Sequence, residues 1–359
     1  MDFFKINVEG DFVDSYIYSG YLVLVDSNYK LSIYKWNDLI KASLVGVSPL
    51  DKLQIEMLVD DSRNRVNLDS TKSITITSKS LEISKVASYD IGVWPTDISI
   101  FSNNLYISSE LGISHLKLDY YSGELSKDTK MFDEIVFSLS PNSFGRFAFA
   151  AGKSGVLNYT PFSRHFNRDH IKPIIESTCI ELDWQSTALL AEVEGTVVRC
   201  DFQAMPEKND DLPDSDFFEL VKNVKNSKPH INKLDTFTNA WVAGDKVYAV
   251  GKDRSLYIGG TKLNEYKKQD VAILSREVVK ARTAAFGTVI EDNENLFVLD
   301  GHELKQYSDD FVSWRVFPRA RNYANQLHII KDEHIEFLFI GSTPNNIFAL
   351  ETDKIDSLG

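Results

Sequence analysis

Between Ser163 and His170 the chain reads Ser-Arg-His-Phe-Asn-Arg-Asp-His, its densest run of groups able to do chemistry. Arg164 and Arg168 can grip a phosphate or carboxylate through paired N–H donors. His165, Asp169 and His170 can supply a general base. A solvated loop stitched by local ion pairs accounts for the same residues and outweighs a site. The His-x4-His spacing also fits half of a zinc site. Completing it would need Cys179 and Cys200, which lie in separate strands, so no metal or other cofactor is expected.

A second basic segment, Phe317-Pro-Arg-Ala-Arg-Asn-Tyr-Ala-Asn325, gathers with Arg315 three arginines, the others being Arg319 and Arg321, and an aromatic at Tyr323. It can meet an acidic ligand, although pairing with the surplus of nearby acids is the weightier reading. A third candidate follows the proline-bounded loop Met205–Pro213. There Asp214–Lys225 has acids first, lysines last, and Phe217, Phe218, Val221 and Val224 at helical spacing. Packing on the outer edge outweighs a docking role. The acidic turns Asp60–Asp69 and Glu291–Asn295 lack the EF-hand spacing. No P-loop, dinucleotide-binding glycine motif, Gly-x-Ser-x-Gly or His-Glu-x-x-His occurs.

Acids exceed bases by 52 to 39, a net charge of -13, which disfavours direct contact with nucleic acid and favours a basic protein partner. The first residues show no basic-then-apolar signal and no apolar run reaches membrane-spanning length. A cytoplasmic protein without membrane insertion is expected.

The elements that must position these residues are hairpins. Alternating apolar strands flank tight polar turns near Asn28, Lys79, Leu111, Lys153, Glu194, Asp253, Asp300 and Thr343. Their mean spacing is about 45 residues, within the roughly 40–50 of one propeller blade. Trp94–Ser109 and Phe144–Gly155 resemble blades of β-propeller proteins. The Gly-His and Trp-Asp marks of WD40 repeats are missing, and Ser308–Trp314 resembles the Asp box of sialidase-like propellers without its glycine. The expected fold is all-β: one closed propeller over residues 1–359, with eight blades favoured and seven as the alternative. Phe3–Val8 would complete the last blade, whose final hairpin would end on Asn346–Leu350. One loop-helix insertion is expected at about 205–230. Trp36, Trp94, Trp184, Trp241 and Trp314 are read as core or rim.

With no catalytic signature, the expected role is a non-catalytic protein–protein interaction module, a scaffold or recognition subunit. The alternative is a hydrolase or lyase with carboxylates, histidine or arginine converging on the central channel.

Overall fold

The second strand of most units is apolar almost without interruption: Tyr21-Leu-Val-Leu-Val, Ala188-Leu-Leu-Ala, Val247-Tyr-Ala-Val. A strand buried on one face alternates; these are covered on both. The computed structural model shows what covers them. It describes residues 3–64, 73–142, 145–161, 166–208, 212–261, 265–271, 277–301, 303–342 and 346–351. Among these, seven sheets stand side by side as the blades of a β-propeller, each with four antiparallel strands and the last with a fifth strand added in parallel. Neighbouring blades share their cores: Val23, Val25 and Ile33 of the first pack with Ile98, Ile100 and Ile107 of the second.

The innermost strands are Phe12–Tyr18, Pro95–Phe101, Ser138–Pro141, Cys179–Gln185, Phe237–Ala243, Lys280–Ala284 and Ser313–Val316. In the seventh sheet Ser313–Val316, Gln326–Ile330 and His334–Ile340 are followed by Phe3–Glu9, which pairs Phe3 with Ile340 and Glu9 with His334. Each seam between blades carries a polar bridge. Going round, these are Tyr18–Asn103, Asp97–Leu139 N, Ser140–Trp184 N, Asp183–Val242 N, Trp241–Thr283, Trp314–Glu291 and His328–Ser15.

Seven blades, not eight, follow from one correction, and a second relocates the last hairpin. Lys79 does not head a hairpin. Ser73–Ile76 is a strand, but Thr77 then caps a helix, its hydroxyl accepting from the Ser80 amide at 3.3 Å. Both belong to an insertion between the third and fourth strands of blade 1: α1 (Trp36–Ser43), α2 (Pro49–Asp60), the strand, and α3 (Ser78–Ser84). Trp36, Leu39 and Ile40 of α1 and Ile55, Leu58 and Val59 of α2 pack onto Phe4, Ile6 and Val8. Ser73–Ile76 pairs in parallel with Phe3–Glu9 and covers the outer edge of blade 7. At the other end, Thr343 lies outside the described residues, and Asn346–Leu350 is not a strand. It lies across blades 5 and 6, with Phe348 fully buried and the Leu350 amide donating to Ala284 O at 2.9 Å. The hairpin of blade 7 turns instead at Lys331–Glu333.

The helix expected after residue 205 forms as α4 (Asp214–Asn226), between the third and fourth strands of blade 4. Val224 is buried, Phe217 half-buried and Phe218 exposed, while Lys225 Nζ donates to Pro161 O at 2.9 Å.

Two glycines recur where a third strand meets the end of a fourth. A Cβ on Gly112 would sit 2.0 Å from Phe132 O, and one on Gly155 2.0 Å from Ile175 O, both at positive φ. Gly195 has positive φ but open space. Gly112→Ala is expected to cost about 2 kcal/mol and Gly195→Ala about 1, read as shifts in urea midpoint.

Candidate functional site

Antiparallel topology sorts the connections onto two faces. We call upper the face on which the innermost strands begin. It holds the second-to-third-strand turns and the blade-to-blade connections; the lower face holds the rest. All the departures from the repeat, the helical insertion of blade 1, residues 160–170, α4 and 317–325, belong to lower-face connections.

A cavity of about 960 Å³ occupies the channel. Four innermost strands bulge near their start, between Phe12 and Asp14, Pro95 and Asp97, Cys179 and Glu181, and Phe237 and Asn239. A bulge re-aims the residue after it. Asp14, Asp97 and Glu181 thereby line the cavity with Asp183, facing Lys280, Arg282, Arg315 and Arg319.

The guanidinium groups lace the channel. Arg315 of blade 7 holds Asp14 of blade 1 at 2.7 and 3.1 Å and donates to Ile98 O of blade 2 at 2.9 Å. Arg282 of blade 6 pairs with Glu181 of blade 4. Arg319 spans from blade 7 to blade 3, donating to Pro141 O and, at 3.3 Å, to Ser140 Oγ. Lys280 Nζ lies 5.1 Å from the centroid of the Trp314 ring, and burial pulls its pKa down. Burial, with Glu181 opposite, pushes Glu192 up to about 7. The aspartates are engaged by backbone as well: Asp97 accepts from Leu139 N and Asp183 from Val242 N, each at 2.9 Å.

The expected site residues divide. Arg315, Arg319 and Tyr323 line the channel, where the Tyr323 hydroxyl accepts from Gly20 N at 2.8 Å. Arg321 is exposed at its lower mouth. Arg164 and His165 lie outside the described residues. Arg168 and Asp169 are exposed, His170 is half-buried, and Arg168 pairs with Asp133. Phe217 and Phe218 stand apart on α4.

Sequence reasoning missed the upper rim. Each of the seven blade-to-blade connections carries or adjoins an exposed acid: Asp11, Asp90, Glu134, Glu176, Asp235, Glu277 and Asp309 mark them in turn. Among the described residues these connections contain no lysine or arginine. At five of the seven, an exposed apolar side chain stands at or just before the innermost strand: Trp94, Ile135, Ile180, Val279 and Val312. The signal was present as an acid followed within a few residues by an apolar one at each blade boundary, as in Glu277-Val-Val279 and Asp309-Asp-Phe-Val312.

Cys179 and Cys200 are buried, and burial pushes both thiols up to about 12. Among the described residues no helix is long and apolar enough to cross a membrane. No protein-family model matches the chain, and no curated protein does. Solved structures with the same fold include the Dos1 propeller, at 8% identity over 95% of this chain and 81% of that one, TM-score 0.51. YCF48 bound to D1 peptide is 9% identical over 95% and 98%, TM-score 0.52. A chain of the mitotic checkpoint complex is 9% identical over 92% and 88%, TM-score 0.50. At such identities the likeness is one of fold.

Proposed function

We propose that this propeller is a non-catalytic interaction module whose upper face docks a basic protein partner. The observation that carries the reading is the rim, where an acid marks every blade boundary and an apolar side chain stands beside five of them. Exposed apolar residues with an acid close by at each blade boundary suit a partner that offers apolar side chains within a basic surface. The same ring of carboxylates repels phosphates, so direct nucleic-acid binding is no part of the proposal. The setting proposed is cytoplasmic, where buried Cys179 and Cys200 stay reduced. YCF48 with its D1 peptide is an instance of a propeller holding a protein segment.

A hydrolase or lyase is the second reading, favoured by the carboxylates and arginines that converge on the channel. The reading gives way because Asp14, Asp97, Glu181 and Asp183 are each engaged by a guanidinium or a backbone amide. Those bonds tie blades together and leave none of these four carboxylates poised as a base.

Capture from native lysate tests the module. The wild-type chain and Phe218→Ser are expected to retain the same basic protein. The double variant Trp94→Ser/Val279→Ser is expected to bind it at least about tenfold more weakly. Raising salt should release it. Equal capture by the rim variant, or a wild-type chain that stays alone at low salt, would sink the reading.

A further inference from the structure

The channel cations are not alike. Arg315 and Arg282 each hold carboxylates, whereas Arg319 and Lys280 have none within ion-pair distance among the described residues. For Lys280 the Trp314 ring supplies a neutral alternative. Arg319 is the odd one. It crosses the channel to bond only a backbone carbonyl and a serine hydroxyl, which leaves part of its five-donor fork unused. Asp183 acts on Arg319 only from beyond ion-pair distance, and a guanidinium without a direct carboxylate contact, in a protein with 52 acids, offers a place for an anion from outside.

Access differs between the two mouths. The upper one is ringed by carboxylates and has no lysine or arginine in its blade-to-blade connections among the described residues. The lower one carries Arg319 and Arg321 together with the carboxylate of Asp60, and Ser19, Ser102 and Asn322 as neutral hydrogen-bonding groups. The cavity, about 960 Å³, has room for a molecule of metabolite size.

We propose that the channel binds a small organic oxyanion, a carboxylate or phosphate group, which enters by the lower mouth and seats on Arg319. The group comes either from a free metabolite or from an acidic side chain of a docked protein. The site is separate from the upper rim and stands without it.

Isothermal titration of the purified chain with citrate and with inorganic phosphate, at ionic strength fixed by chloride, reads the site directly. Saturable binding of at least one probe is expected, at least about tenfold weaker in Arg319→Gln, weakened less in Arg319→Lys, which keeps the charge without the fork, and within about threefold of wild type in Lys280→Gln. Should Arg319→Gln fail to fold, Ser140→Ala, which removes one of the two groups that orient the guanidinium, is expected to weaken binding instead. Binding of the probe by the chain alone, without effect on partner capture, assigns the site to a free metabolite. Displacement of a captured partner by the probe assigns it to that partner's acidic group. No saturable binding of either probe up to about 50 mM, or an Arg319→Gln variant that binds as wild type does, overturns the proposal.

Discussion

Arg315→Ala is expected to destabilise the protein by about 3 kcal/mol, because one side chain joins three blades. Its fork takes both oxygens of Asp14, reaches Asp97 Oδ1 at 3.3 Å and donates to Ile98 O, and its guanidinium lies 5.2 Å from the centroid of the Tyr16 ring. Removing it leaves two carboxylates, each about one-fifth exposed or less, facing one another with no cation between them. Arg315→Lys is expected to restore only part of the loss, since a point charge cannot make a two-pronged contact and a third bond at once. Pairing Arg315→Met with Asp14→Asn should recover more than about 1 kcal/mol relative to Arg315→Met alone, by removing the stranded charge. Urea unfolding with an unchanged slope is the measurement. A loss under about 1 kcal/mol for Arg315→Ala would mean that solvent in the channel satisfies the aspartates, and the lacing would be incidental.

The scaffold was legible where turn chemistry and alternation agree. Asn28, Leu111, Lys153, Glu194 and Asp253 lie at the second-to-third turns of the first five blades. Near Lys79 the pattern misled, because Ser-Ile-Thr-Ile alternates like a strand and its partner comes from residues 3–9 rather than from its own hairpin. The α2 start was readable in Ser48-Pro-Leu-Asp51, where Ser48 caps the helix and proline fills its first position. Its apolar residues fall on two sides: Ile55, Leu58 and Val59 inward, Leu50, Leu53 and Met57 outward. That blurs the helical stripe and hides the helix from a periodicity test. The site was half legible. A cluster within one segment, such as Arg315 to Tyr323, can be seen in a sequence. A cluster made by one residue from each of several strands cannot, which is why Asp14, Asp97, Glu181 and Lys280 passed unnoticed.

The same convergence produces a group that titrates near neutrality. Glu192 lies opposite Glu181 in the strand register of blade 4; Asn239 Nδ2 donates to its Oε1 at 3.1 Å, and Arg282 is committed to Glu181. Burial first, and Glu181 second, push its carboxyl to about 7 from 4.5, while Asn239, Arg282 and the Ala240 amide oppose the shift. Between those two values the folded chain keeps a proton that the unfolded chain has released, so stability from this group falls as pH rises. It is complete below 4.5, declines toward 7 and is gone above it, a change of about 3 kcal/mol. Glu192→Gln, neutral throughout, is expected to exceed wild type by only about 1 kcal/mol at pH 5 and by up to about 3 kcal/mol at pH 8. Urea midpoints at four pH values from 5 to 8 decide it. Profiles that run parallel for the two proteins would place the titration elsewhere and leave Glu192 ionised at the seam between blades 4 and 5.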